Sequence, residues 1–356
     1  MHVHEQLSMR MGCLRPSGRR GCRLLLGGDM AAFCASLVEG LEHLESTMDT
    51  GGGGGQGSVS MRWCTDAMRL VKRMQREMLA IFRKAGVPVA VVSSACGGGE
   101  GAAGGGEWFE HYMQETAALL DFCNAFKAAV SRLHRYCMVV DFAAQVGRAA
   151  EGDAAGAVSL VAESAAPCAG WAPEPGQAAQ ASSAAFRDKL TSVKAAVAEA
   201  ERLGRTISSG AGGDASGMVV ITLVAKITTS ILSMFVLQAL ASPSPLDAGG
   251  IRPTLGCAAV PELEPWCESL SLIHARFPSR ATVAEHEQVA MAVQDLINGK
   301  KDGRGQGDQP VELLRARSGE LREGVDMFDC VLDEVFDEVI RGRNEMLGIL
   351  RDKALT

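Results

Sequence analysis

Residues Met218–Ala241 read MVVITLVAKITTSILSMFVLQALA, twenty-four residues with a single charge, Lys226. An apolar segment of that length has two outlets. It crosses a bilayer, which takes about 20 apolar residues, or it fills the centre of a bundle that covers it on most sides. Lys226 disfavours the bilayer by about 3 kcal/mol if it sits near the helix centre. It stands nearer one end, where its stem can carry the ammonium toward the interface. Thr222, Thr228, Thr229, Ser230, Ser233 and Gln238 lower the hydrophobicity further. Few basic residues flank the segment, so no membrane orientation follows. Both outlets stay open at this point.

The rest of the chain is rich in single apolar stripes that need a common surface to cover. Leu119, Cys123, Phe126, Val130, Leu133, Cys137 and Val140 alternate steps of four and three, a seam that stays against one partner helix. No proline interrupts 107–146, so this helix can reach about 60 Å at about 1.5 Å per residue. Phe33, Leu37, Leu41, Leu44 and Met48 mark an earlier helix. Met61, Cys64, Met68, Val71, Met78 and Phe82 mark a second, whose other face carries Arg69, Lys72, Arg73, Arg76 and Arg83. Phe186, Leu190, Val193, Val197 and Ile207 predict another. Trp266, Leu270, Ile273 and Phe277 predict a short one ended by Pro278, and Val283, Val289, Val293 and Ile297 one stopped by Gly299. The last helix runs from about Val311 to the end. Its seam is Leu321, Val325, Phe328, Leu332, Val335, Val339, Met346 and Ile349. Its other side is acidic, with Asp326, Asp329, Asp333, Glu334, Asp337 and Glu338.

Glycine-rich and proline-rich stretches separate these segments, near 49–60, 94–106, 150–181, 242–262 and 299–310, and none can hold a regular element for long. Val87–Val92 is the one strand-like run, and Pro88 with the nearby glycines favours a loop or extended connector. Aromatics are only 5% of the chain, so the core must be built from Leu, Val, Ala and Met, a composition that favours helices over sheets. The expected fold is therefore all-α, a bundle of long antiparallel helices with one very apolar central or membrane helix and glycine-rich linkers. Residues 1–28 are expected to be a disordered leader and 29–350 a single helical domain.

Chemistry is sparsely signalled. His286-Glu287 opens HEQVA, close to the HExxH zinc motif, but position 290 is Ala and the second ligand is missing. His2 and His4 are assigned no function. Gly51–Gly57 is preceded by no strand, and Asn298-Gly299-Lys300-Lys301 lacks both the upstream Gly and the following Ser or Thr of a phosphate loop. No Gly-x-Ser-x-Gly elbow and no local Cys–His signature is present. Catalytic, metal-binding and cofactor-binding residues are accordingly expected to be none. The acidic run at Asp326–Glu338 reads as a solvated face or as a dock for a basic partner, which the basic face of the second helix can supply within the same chain. That basic face can alternatively meet anionic lipid headgroups. The eleven cysteines are odd in number and widely spaced, so reduced thiols in an intracellular protein are expected. A formal charge of −7 argues against a general nucleic-acid binder. No secretory signal opens the chain, and Met11-Gly12-Cys13 with Pro16 departs from the myristoylation pattern.

Several of these segments resemble a known family. Trp108-Phe109, then Leu119-Leu120-Asp121-Phe122-Cys123-Asn124-Ala125-Phe126, followed by Leu133, is similar to the LLDxCN helix of the plant BYPASS-related family. Residues 218–241 sit where that family carries its hydrophobic stretch, and Trp266-Cys267-Glu268-Ser269-Leu270 resembles its tryptophan-bearing segment. Val311-Glu312-Leu313-Leu314-Arg315, Ser318-Gly319-Glu320-Leu321 and Phe336-Asp337-Glu338-Val339-Ile340-Arg341-Gly342-Arg343-Asn344 resemble its ending. The likeness covers most of 30–350 in order; the leader at 1–28 and the shortened, glycine-rich connectors depart from it. It implies a plant developmental regulator acting through protein partners, as in restraint of a mobile root-to-shoot signal, with some relatives tied to exocytosis or stress responses. It carries no catalytic residues over.

Three functions are therefore in play. The first is a non-enzymatic scaffold in the cytoplasm. The second is a single-pass membrane-anchored adaptor in trafficking with its span at 218–241. The third is an enzyme on a small hydrophobic metabolite, which requires an apolar pocket with a few convergent polar groups.

Overall fold

A computed structural model describes residues 24–48, 57–85, 107–149, 202, 214–241, 263–278, 281–301 and 309–354. In chain order the elements are α1 (Leu24–Met48), β1 (Ser58–Val59), α2 (Met61–Ala85), α3 (Glu107–Ala149), α4 (Asp214–Ala241), α5 (Glu264–Arg276), β2 (Thr282–Val283), α6 (Ala284–Lys301) and α7 (Gln309–Ala354). The all-α bundle expected from the apolar periodicity is what these elements build.

The long proline-free seam becomes α3, and the C-terminal seam becomes α7. The two pack along their length with Phe126 edge-on to Phe328 at 6.0 Å. Their pairing is antiparallel: Lys127 meets Asp329, while Arg343 meets Met113 and Thr116. α2 is antiparallel to α3, with Phe82 against Trp108 at 4.4 Å and against Tyr112 at 5.6 Å. α1 is antiparallel to α2, since Asp29 meets Lys84 and Trp63 Nε1 donates to the Leu44 carbonyl at 3.1 Å. It follows that α2 and α7 run parallel, and Lys72–Glu334, Arg76–Glu338 and Arg83–Glu345 lie at one constant register along them.

α4 occupies the middle. It packs on α3, α2 and α1, with α5 alongside it: Trp266 of α5 donates from Nε1 to Thr228 Oγ1 at 2.9 Å, and Phe235 stacks on Phe277 at 4.2 Å. Its stretch Gly217–Leu240 is long and apolar enough to cross a membrane, and 89% of that stretch is buried by the rest of the bundle. Thr222 and Thr228 donate to the Met218 and Val224 carbonyls, both at 2.9 Å, so their hydroxyls need no partner outside the helix. This is how a helix with several hydroxyls can be buried on nearly every side.

The start of α2 shows how local chemistry sets a boundary. Ser60 Oγ accepts from Trp63 N at 3.1 Å, an N-cap one residue before the helix. The Glu285 carboxylate, from the first turn of α6, accepts from Met61 N at 3.0 and 3.1 Å. Parallel pairing of Ser58 with Thr282 and Val59 with Val283 holds these two helix starts together. At the other end, Arg83 and Lys84 sit in the last turn of α2, where cations complement the helix dipole.

Three boundaries differ from expectation. α1 begins at Leu24, inside the predicted leader. α6 continues through Gly299 to Lys301, since an isolated glycine weakens a helix without ending it. β1 and β2, each two residues long, were not foreseen. The predicted helix over 186–207 (Arg202 aside), the segment Val87–Val92 and the linkers near 94–106, 150–181 and 242–262 lie outside the described residues.

Close approach of α2 and α7 depends on Gly324. A Cβ there would sit 2.8 Å from Met61 Cβ, a contact with the base of a side chain that cannot swing aside. Gly324→Val is expected to cost about 1–3 kcal/mol by overpacking, outweighing its better helix propensity. Thermal unfolding reads this directly, and an unchanged Tm would mean that the two helices are farther apart.

Candidate functional site

The deepest polar cluster of the described residues lies where α2, α3 and α4 meet. Glu115 projects from the apolar face of α3 and is fully buried. Gln75 of α2 donates from Nε2 to both of its carboxylate oxygens, at 2.8 and 2.9 Å. Lys226, the one charge in 218–241, lies within electrostatic reach of the same carboxylate. Thr229 Oγ1 lies near enough to help hold the carboxylate, although it makes no hydrogen bond of good geometry, and Gln75 Oε1 is likewise buried without a partner. Burial pushes the Glu115 carboxyl up to about 7, against the opposing pull of Gln75, Thr229 and Lys226. Burial lowers Lys226 from the ordinary lysine range, and Glu115 partly restores it.

Beside this pair lies a cavity of about 40 Å³ lined by Glu115, Ala118, Leu119, Phe122, Lys226, Thr229 and Ser230. That volume suits a water molecule and falls far below the several hundred Å³ of a ligand pocket. A larger cleft of about 730 Å³ opens between the starts of α2 and α6 and the middle of α7. In it Arg69 bonds Asp66 at 2.9 Å and Arg317 bonds Glu320 at 2.8 Å, and Glu285 and Glu323 add two further carboxylates. Its hydroxyls are engaged as well, since Ser60 caps α2 and Thr65 donates to the Met61 carbonyl at 2.8 Å.

The acidic face of α7 meets its partner inside the molecule. Lys72 and Arg76 of α2 bind Glu334 and Glu338, at 2.8 and 3.1 Å, and Arg83 binds Glu345. Lys127 of α3 bridges Asp329 at 2.6 Å and Asp333 at 2.7 Å. Hydrogen bonding from Lys72 holds Glu334 below the usual carboxylate range, and Arg83 does the same for Glu345. Of the two uses open to the basic face of α2, the intramolecular one is realised for Lys72, Arg76 and Arg83.

His286 is enclosed rather than poised for a metal. Its ring lies 4.8 Å from Tyr136, its Nε2 is buried without a hydrogen-bond partner, and burial lowers its pKa. Glu287 accepts from the Thr282 hydroxyl. Among the described residues no group of three His, Cys, Asp or Glu side chains could hold a metal ion. Cys34, Cys64, Cys123, Cys137 and Cys330 are not in disulfides. Cys123 and Cys137 fill the apolar seam of α3, and burial pushes Cys123 up to about 12. Cys267 is disulfide-bonded, which corrects the expectation of reduced thiols for that position. No local spacing signals that bond.

Sequence reasoning missed Glu115. The signal was available: the stripe Tyr112, Leu119, Phe122, Phe126 places residue 115 on the buried face, and an acid there needs a partner. Lys226 drew notice as an anomaly in an apolar segment, and Glu115 is the acid whose field it feels. Comparison with protein-family models, with curated proteins and with solved structures finds no match.

Proposed function

We propose that this chain is a non-enzymatic regulatory scaffold, a plant developmental regulator of the BYPASS-related kind, acting through protein partners. The observation that carries this reading is where its charges go. Ion pairs rivet α2 to α7 and α3 to α7 along their lengths. Its deepest polar pair adjoins only about 40 Å³ of space. A rigid frame of long helices presenting its outer faces is the arrangement a scaffold uses. By the resemblance, the pathway served is restraint of a root-to-shoot signal.

A second reading, a single-pass anchored adaptor, draws on the length and apolarity of Gly217–Leu240. Its burial favours the core-helix alternative, and with it a cytoplasmic protein.

The scaffold reading predicts that tagged full-length chain, captured from plant tissue after mild cross-linking, retains a stoichiometric protein partner that salt weakens. Recovery of no partner at any salt concentration would overturn it.

A further inference from the structure

We infer that the outer seam between α3 and α7 is a groove for one amphipathic helix of a partner protein, whose apolar stripe is flanked by Lys and Arg. The inference rests on the scaffold reading and assigns its docking surface.

Two rivets fix the seam. Arg343 Nη1 donates to the Met113 carbonyl at 2.6 Å and to Thr116 Oγ1 at 2.7 Å, and Lys127 binds Asp329 and Asp333. In this antiparallel register Leu120 comes opposite Phe336, and Phe109 opposite Leu347. At the spacing of an α-helix, Phe109, Met113 and Leu120 share the side of α3 that carries Lys127, and Phe336, Ile340 and Leu347 share the side of α7 that carries Arg343. These six therefore form one apolar strip. Phe336 and Leu347 are 38% and 47% exposed, and the other four are half-buried. Lone exposed apolar side chains are ordinary, but a strip aligned on one interhelical seam is a binding feature. From Phe109 to Leu120 it runs about 16 Å, enough for three turns of a partner helix.

Charge identifies the occupant. Glu110 and Asp121 border the strip on α3, and Asp337 borders it on α7 beside Asp333, which Lys127 already bridges; all four are exposed. The two cations on the strip, Arg343 and Lys127, are spent on the rivets. An apolar strip with acids on both banks complements a helix with cations on both flanks of its apolar stripe. The same acids repel an anionic lipid surface or an acidic partner.

The test uses the full chain and two fluorescent amphipathic peptides of about 18 residues, a length chosen to exceed the strip. Both carry leucines at helical spacing; one has flanking lysines and the other flanking glutamates. The lysine peptide is expected to bind in a salt-sensitive manner and the glutamate peptide not to bind. Phe336→Ala with Leu347→Ala, both exposed and so tolerated by the fold, should weaken the lysine peptide by about tenfold or more, as for anchor residues. Asp121→Asn with Asp337→Asn should flatten its salt dependence. Equal binding to the Phe336/Leu347 variant would expose general attraction to an acidic protein and overturn the groove. Absence of binding would overturn it too, as would self-association of the chain abolished by the same pair, which would make the occupant a second copy. A partner captured from tissue that ignores these substitutions would sink the groove while leaving the scaffold reading intact.

Discussion

Lys226→Met is expected to destabilise the protein by about 1 kcal/mol at pH 8, because it removes a cation whose field helps hold the buried Glu115 carboxylate charged. The loss should shrink toward pH 5.5. In the native protein burial holds Glu115 at about 7, above the ordinary value of 4.5, so the folded state binds this proton more tightly than the unfolded state. A group of that kind leaves stability undiminished below about pH 4.5. It draws stability down as pH rises through the interval to 7, and the cost is constant above it. The full span corresponds to about 3 kcal/mol at 1.36 kcal/mol per pK unit. Removing Lys226 pushes the Glu115 pKa higher still, so the carboxyl takes up a proton at neutral pH and the variant recovers when acidified. Glu115→Gln should erase this part of the pH slope in the native protein. Chemical denaturation across pH 5–8 reads all three proteins. An equal loss at every pH would mean that Lys226 and Glu115 do not interact.

Trp266→Ala is expected to cost about 3–5 kcal/mol, the range for deleting a fully buried large aromatic. The indole does two jobs that a second substitution separates. Its ring fills the contact between α5 and α4, and its Nε1 donates to Thr228 Oγ1 at 2.9 Å. Trp266→Phe keeps most of the ring and deletes the donor. It should cost nearer 1 kcal/mol, because Thr228 still donates to the Val224 carbonyl and is not left bare. The ratio of the two losses in urea unfolding separates packing from hydrogen bonding. Near-zero loss for Trp266→Ala would place α5 away from α4.

Periodicity made the helices legible because an apolar residue every three or four positions has few other uses. The seams of α3 and α7 were read from Leu119 to Val140 and from Leu321 to Ile349, and all of their residues are buried except Ile349, which is half-buried. What periodicity yields is a face, not its neighbour. The basic face of α2 and the acidic face of α7 were both visible, yet their constant register along parallel helices was not. That register follows from α2 and α7 each lying antiparallel to α3, a fact of three-dimensional order. β1 and β2 carry too few residues for any alternation to register. Glu115 was overlooked because the search for chemistry looked for motifs, whereas its meaning comes from Gln75 and Lys226, which stand on other helices. The strip on the α3–α7 seam was hidden for the same reason: Leu120 and Phe336 are distant in sequence and adjacent only in the folded bundle.

The central claim is that α4 is the core helix of a bundle. Full-length tagged protein expressed in plant cells, fractionated and washed with alkaline carbonate, tests it most directly. The bundle predicts recovery in the soluble fraction. Retention in the carbonate-resistant pellet would contradict it, make Gly217–Leu240 a span, and dissolve the contacts of α4 with α2, α3 and α5 described above.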